Sequence, residues 1–152
     1  MMNSRTQTQI ANDFRLEDCA ALEYILLGDL REILEESPDE ENCRWLLVIL
    51  DALLEAKQRE FELQEDGGYL EDVLEQVPNW QPQVEQLRDE HHELFGNLRQ
   101  LRERVGNRQS FDTVADTVRA DLRDWMTLLQ RHHRHTRRIV QSAFNFDIGV
   151  GD

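Results

Sequence analysis

The sequence predicts an all-α protein, a four-helix bundle of up-down-up-down topology. Three observations carry that prediction. The 152-residue chain holds only three Pro and seven Gly, and these sit in a few clusters. The long windows between the clusters are rich in Leu, Glu, Arg, Gln and Ala, all good helix formers. Within each window apolar residues recur at gaps of three and four, which places them on one helix face.

Residues 1–11 carry no clear pattern and are expected to be a flexible lead-in, leaving 12–152 as the bundle. Asn12 or Asp13 can cap a first helix running to about Glu36, with the stripe Leu16, Cys19, Glu23, Leu26, Leu30, Ile33. In Ser37-Pro38-Asp39-Glu40, Ser37 reads as a cap, Pro38 suits the first turn and Glu40 completes a capping box. The second helix is therefore expected from Pro38 to about Glu65, where Gly67-Gly68 stops it. Its stripe is Leu46, Ile49, Leu53, Ala56, Glu60, Leu63, and Asp39, Glu40 and Glu41 favour its N-terminal dipole. Tyr69 to Val77 reads as one or two helical turns packed on the outside.

Pro78, Asn79 and Pro82 break the chain before a third helix, roughly Gln83 to Val105, striped by Val84, Leu87, His91, Leu94, Leu98, Leu101 and Val105. Gly106-Asn107 ends it, and Ser110 or Asp112 can cap the fourth. The fourth stripe is Val118, Leu122, Trp125, Leu129, His132, Thr136, Ile139/Val140, Ala143, and the tail is expected to leave the helical pattern near Asp147. Trp125 falls on this stripe and is expected in the core; Trp45 and Trp80 are expected to be packing residues.

Each stripe has one conspicuous polar interruption: Glu23, Glu60, His91 and His132. A polar group facing partner helices needs a polar partner there. A weak internal repeat, Leu26-Leu27-Gly28-Asp29-Leu30-Arg31 against Leu94-Phe95-Gly96-Asn97-Leu98-Arg99, also aligns Glu23 with His91. The chain thus reads as two helical hairpins that bring the four interruptions into one layer.

The formal net charge of −14 argues against nucleic acid and anionic membrane as partners, because both repel such a chain. No apolar run approaches the roughly 20 residues of a membrane span. Met1 to Gln9 lacks a secretory apolar core, so a cytoplasmic location is expected. Cys19 and Cys43 have no CxxC spacing and read as buried thiols. Hydroxyls and thiols bear no relation to the histidines, so no nucleophilic catalyst is expected. In Arg131-His-His-Arg-His-Thr-Arg-Arg138, His132 and His133 straddle the seam, while Arg131, Arg134, His135 and Arg138 can point outward to acidic residues.

Further pieces carry a resemblance: Glu60-Phe61, then Glu65-Asp66-Gly67-Gly68-Tyr69, then Glu90-His91 with Leu94, and the closing run from Gln141 to Asp152. Over residues 14–152 the chain resembles hemerythrin-like (HHE cation-binding) proteins. That resemblance implies a four-helix bundle holding a di-iron centre, with a role in oxygen binding, sensing, or iron and stress responses. The family's ligand pattern is only partly matched. Its first-helix His corresponds to Glu23, or to Tyr24 if the register slips by one. Its His-x-x-x-Glu of the second helix reads Glu60 and Gln64. The third-helix His is kept as His91, and the fourth-helix pair reads His132 and Thr136, or His133 and Arg137.

Two functional readings follow. In one, the site has decayed to a metal-free polar core in which Glu23, Glu60 and Gln64 accept hydrogen bonds from His91, His132 or Arg137. The protein then needs no cofactor, is not an enzyme, and acts as a non-catalytic binding or sensing protein through an unnamed protein partner or as a homodimer. In the other, Glu23, Glu60, His91 and His132 bind one or two Fe ions, or Mn or Zn, with Gln64, His133 and Arg137 as alternates or neighbours. The missing second ligands on two helices and the fixed positive charge of Arg137 favour the first reading.

Overall fold

The computed structural model describes residues 4–65, 69–107 and 111–150, with side chains described for 16–65, 70–107 and 117–143. The chain is all-α: among the described residues there is no strand. Helices span α1 Ser4–Glu35, α2 Glu40–Glu65, α3 Tyr69–Gln76, α4 Gln81–Gly106 and α5 Phe111–Val150, with a 3-10 turn at Pro78–Trp80. None of them is long and apolar enough, over the described residues, to cross a membrane.

The boundaries differ from expectation in three places, each for a local reason. α1 starts at Ser4, because no Gly or Pro separates Ser4 from Asn12, so the expected cap at Asn12 or Asp13 falls inside the helix. α2 starts at Glu40, and its cap is Asp39 rather than Ser37: the Asp39 carboxylate accepts the Asn42 backbone N–H at 2.7 Å. α5 continues past Asp147 to Val150, since no breaker precedes Gly149. The expected Gly67-Gly68 stop and the Ser110 cap lie outside the described residues.

The end of α1 is closed by side chains from two other helices. Arg119 Nη1 donates to the carbonyls of Leu34 (3.1 Å) and Glu36 (2.7 Å), and Arg123 donates to Leu34 at 2.9 Å. Asn42 Nδ2 donates to the Ile33 carbonyl at 3.1 Å, and Asn42 Oδ1 accepts from Arg119 at 3.0 Å. The last carbonyls of a helix have no partners within it and carry partial negative charge, so cationic donors suit them.

Two apolar clusters form the core. The larger gathers Leu26, Leu30 and Leu34 of α1, Leu46, Leu50 and Leu53 of α2, Leu94 to Val105 of α4, and Val118 to Leu129 of α5. Trp125 is buried there as expected, donating its indole N–H to the Leu94 carbonyl at 2.9 Å. The smaller joins Leu70, Val73 and Val77 of α3 and its exit to Val84, Leu87 and Ala143, with Trp80 packed against it. Trp45 departs from expectation: it stands on the outer face of α2, 56% exposed. On α1, α2, α4 and α5 alike, buried polar residues begin where the larger cluster ends: Glu23, Lys57, His91, His132.

Candidate functional site

All seven residues singled out from the sequence line one cleft of about 380 Å³: Glu23, Gln64, Glu60, His91, His132, His133 and Arg137. Tyr24 and Thr136 also line it. The cleft's organising group is one the sequence reading missed. Lys57 projects from α2 into the cleft, and its ammonium donates to Glu23 Oε1 at 3.0 Å and Glu60 Oε2 at 3.2 Å. The Lys57 and Glu23 side chains are 4% and 5% exposed. Helical geometry explains the placement. Leu46, Leu50, Leu53, Lys57 and Gln64 form a second buried stripe on α2, one position round from the stripe read in the sequence.

The pairing sets the charge state. Burial alone pulls the Lys57 pKa down, but the Glu60 and Glu23 carboxylates and their hydrogen bonds outweigh it, so the ammonium is held charged. Burial raises the Glu60 pKa; Lys57 opposes this and Glu23 adds to it, with a net upward shift. Gln64 donates its amide to Glu60 Oε1 at 3.1 Å. The expected donors, His91, His132 and Arg137, are replaced by Lys57 and Gln64 as the hydrogen-bonding partners of Glu60.

The histidines separate into distinct roles. His91 lies flat on Phe61, ring centroids 4.3 Å apart and planes 11° from parallel. Burial, the Lys57 charge and the neighbouring His132 and His92 push its pKa down to about 3, so it is neutral at pH 7. His133, and not His132, faces the carboxylates, with Nε2 3.5 Å from Glu23 Oε1. Its pKa falls to about 4, through burial and Lys57. His132 turns toward Glu90, whose Oε2 lies 3.7 Å from Nδ1, and that buried Nδ1 has no hydrogen-bond partner. Burial lowers the His132 pKa, against an opposing pull from Glu90. His135, expected to point outward, contacts the same Glu90 carboxylate at 2.7 and 2.8 Å. Arg137 is exposed at the rim, so the fixed cation at the site is Lys57.

For a metal, the structure gathers a different set from the one expected. Ligand atoms of Glu23, Glu60 and His133 lie within 4.8 Å of one another; His91 and His132 are not part of that group. Carboxylate and imidazole together suit Fe, Mn or Zn. Yet the ammonium of Lys57 already bonds both carboxylates. A divalent ion there has to displace Lys57 or bear its repulsion.

Comparison of the chain with protein-family models, with curated proteins and with solved structures found no match.

Proposed function

We propose that this chain is a hemerythrin-like up-down-up-down bundle in which the Lys57 ammonium stands where a metal would, and that it is a non-catalytic binding or sensing protein. The observation that carries this reading is the buried Lys57, hydrogen-bonded to carboxylates from two helices. One ammonium supplies the positive charge that keeps Glu23 and Glu60 together, the role a divalent ion plays between bridging carboxylates. The neutral, ring-stacked His91 and the turn of His132 toward Glu90 fit the same reading, because neither belongs to the cluster of ligand atoms that Glu23 and Glu60 form. A homodimer or a protein partner remains part of this proposal, as does a cytoplasmic location.

A second reading is favoured by the Glu23, Glu60 and His133 grouping. If Lys57 swings out, those three side chains bind one Fe or Mn ion, and the protein belongs to oxygen, iron or stress chemistry. Thermal unfolding with and without a chelator separates the two. A ligand that binds only the folded state adds stability. The Lys57 reading predicts one melting temperature in EDTA, in Fe(II) and in Mn(II). A rise with metal that disappears in Glu60→Gln would establish the second reading.

A further inference from the structure

Apolar side chains on the outer face of α1 and α2 have no described cover. Leu22 and Ile25 are 46% and 59% exposed, and Trp45 and Val48 are 56% and 57% exposed. Single exposed hydrophobics are ordinary on any protein surface; four on two adjacent helices are not. They are also in register. Leu22 lines a groove of about 260 Å³ with Ala52 and Glu55 across the α1–α2 seam. The Glu23–Lys57 and Ile33–Asn42 contacts together fix the two helices as running past each other in opposite directions, α1 positions rising as α2 positions fall. One turn beyond Leu22 is Ile25, and one turn before Ala52 is Val48, so these two stand at a similar height on the outer sides of the seam. Trp45 extends the strip by a further turn. The result is an apolar strip about three helical turns long, the length over which a docked helix presents its anchors at i, i+3, i+4 and i+7.

The charge around the strip selects the partner. Asp18, Glu55 and the opposing Arg59 border the groove, and Asp29, Glu32 and Glu41, with Arg31 and Arg44 as the opposing charges, are exposed on the same helices. The rim is net acidic, on a chain of net charge −14. A second copy would bring the same acidic rim against itself, and an acidic helix would be repelled.

We propose that the α1–α2 face is a docking site for a basic amphipathic helix, one with an apolar stripe flanked by Lys or Arg. The inference goes beyond the Lys57 reading and does not depend on it, since the strip lies outside the cleft.

The test uses two synthetic helical peptides of about 18 residues, one built from Leu and Lys and its counterpart from Leu and Glu. Trp45 emission and calorimetry report binding. The Leu/Lys peptide is expected to bind with a blue shift of Trp45, and the Leu/Glu peptide is not. Leu22→Ser/Ile25→Ser/Val48→Ser, all at exposed positions, is expected to weaken Leu/Lys binding by about tenfold or more with an unchanged circular dichroism spectrum. Three results would overturn the proposal. One is equal Leu/Lys affinity in the triple variant, which would mean bulk charge attraction only. Another is equal binding of the Leu/Glu peptide. The third is sedimentation showing wild-type self-association that the triple variant abolishes, which would assign the face to a second copy.

Discussion

Replacing Lys57 by Met removes the ammonium while keeping a flexible side chain of similar length. Glu23 is then left with its side chain 5% exposed and no cation, and Glu60, 14% exposed, loses the same partner. Breaking a buried ion pair from one side costs about 3–5 kcal/mol, because the remaining charge stays desolvated. For a domain of this size that corresponds to roughly 6–20 °C in Tm. The cost has a signature in pH. Glu60 already has a raised pKa, and without Lys57 it rises further, so protonation relieves the strain and the deficit shrinks as the pH falls. Lys57 has a raised folded pKa, so its own contribution is full below the unfolded value, near ~10.4, and is lost only as pH climbs through the folded one. Urea unfolding at pH 7 and pH 5 measures the first effect, and unfolding in a series above about pH 10 measures the second. The neutral triple variant Glu23→Gln/Lys57→Met/Glu60→Gln should recover most of the loss, since replacing a whole buried ionic cluster is often neutral. A single variant that loses less than about 1 kcal/mol, or a triple variant no better than the single, would refute the argument that these charges are buried and mutually dependent.

Other consequences can be checked by the same unfolding assay. His91, with a folded pKa of about 3 against ~6.5 unfolded, contributes stability above pH 6.5 that is lost on acidification, about 2–3 kcal/mol between pH 7 and 4.5. His133 acts in the same direction but is a third exposed, so its share is smaller, and Glu60 acts oppositely. His91→Phe, which keeps the stack on Phe61, should flatten that slope; an unchanged slope would assign it elsewhere. Gly28 and Gly96 lie inside helices, and a Cβ at either meets nothing within 4 Å. Each Gly→Ala change should therefore stabilise by about 0.5–1 kcal/mol, and a loss would mean that the glycines serve a close approach. Arg119→Met strips donors from the Leu34 and Glu36 carbonyls and from Asn42, and should cost about 2–4 kcal/mol; amide exchange at the end of α1 should quicken with it.

Much of the helical layout was legible because apolar spacing of three and four encodes a buried face directly. The burial of Trp125 and the gathering of Glu23, Glu60, His91 and His132 around one cleft follow from those stripes. Lys57 was overlooked because lysine is ordinarily a surface residue and the α2 stripe was drawn through Ala56. The signal was present: Leu46, Leu50, Leu53 and Lys57 also keep gaps of four and three. The choice between His132 and His133 was not legible, because adjacent positions on a helix differ by about 100° and both border the seam. What decided it is tertiary, the Glu90 carboxylate of α4 beside His132 and Glu23 of α1 beside His133. Trp45 was misjudged because size alone says nothing about which face of α2 meets a neighbour.

The most direct test of the central claim is the metal content of the chain after anaerobic reconstitution with Fe(II). The protein should be purified without a metal-affinity column, and elemental analysis should be paired with an absorbance spectrum. With Lys57 holding Glu23 and Glu60, the prediction is no retained iron and no charge-transfer absorption in the wild type. One or two iron ions per wild-type chain, lost on substituting Glu60 or His133, would contradict it and make the Glu23, Glu60 and His133 group a working metal site.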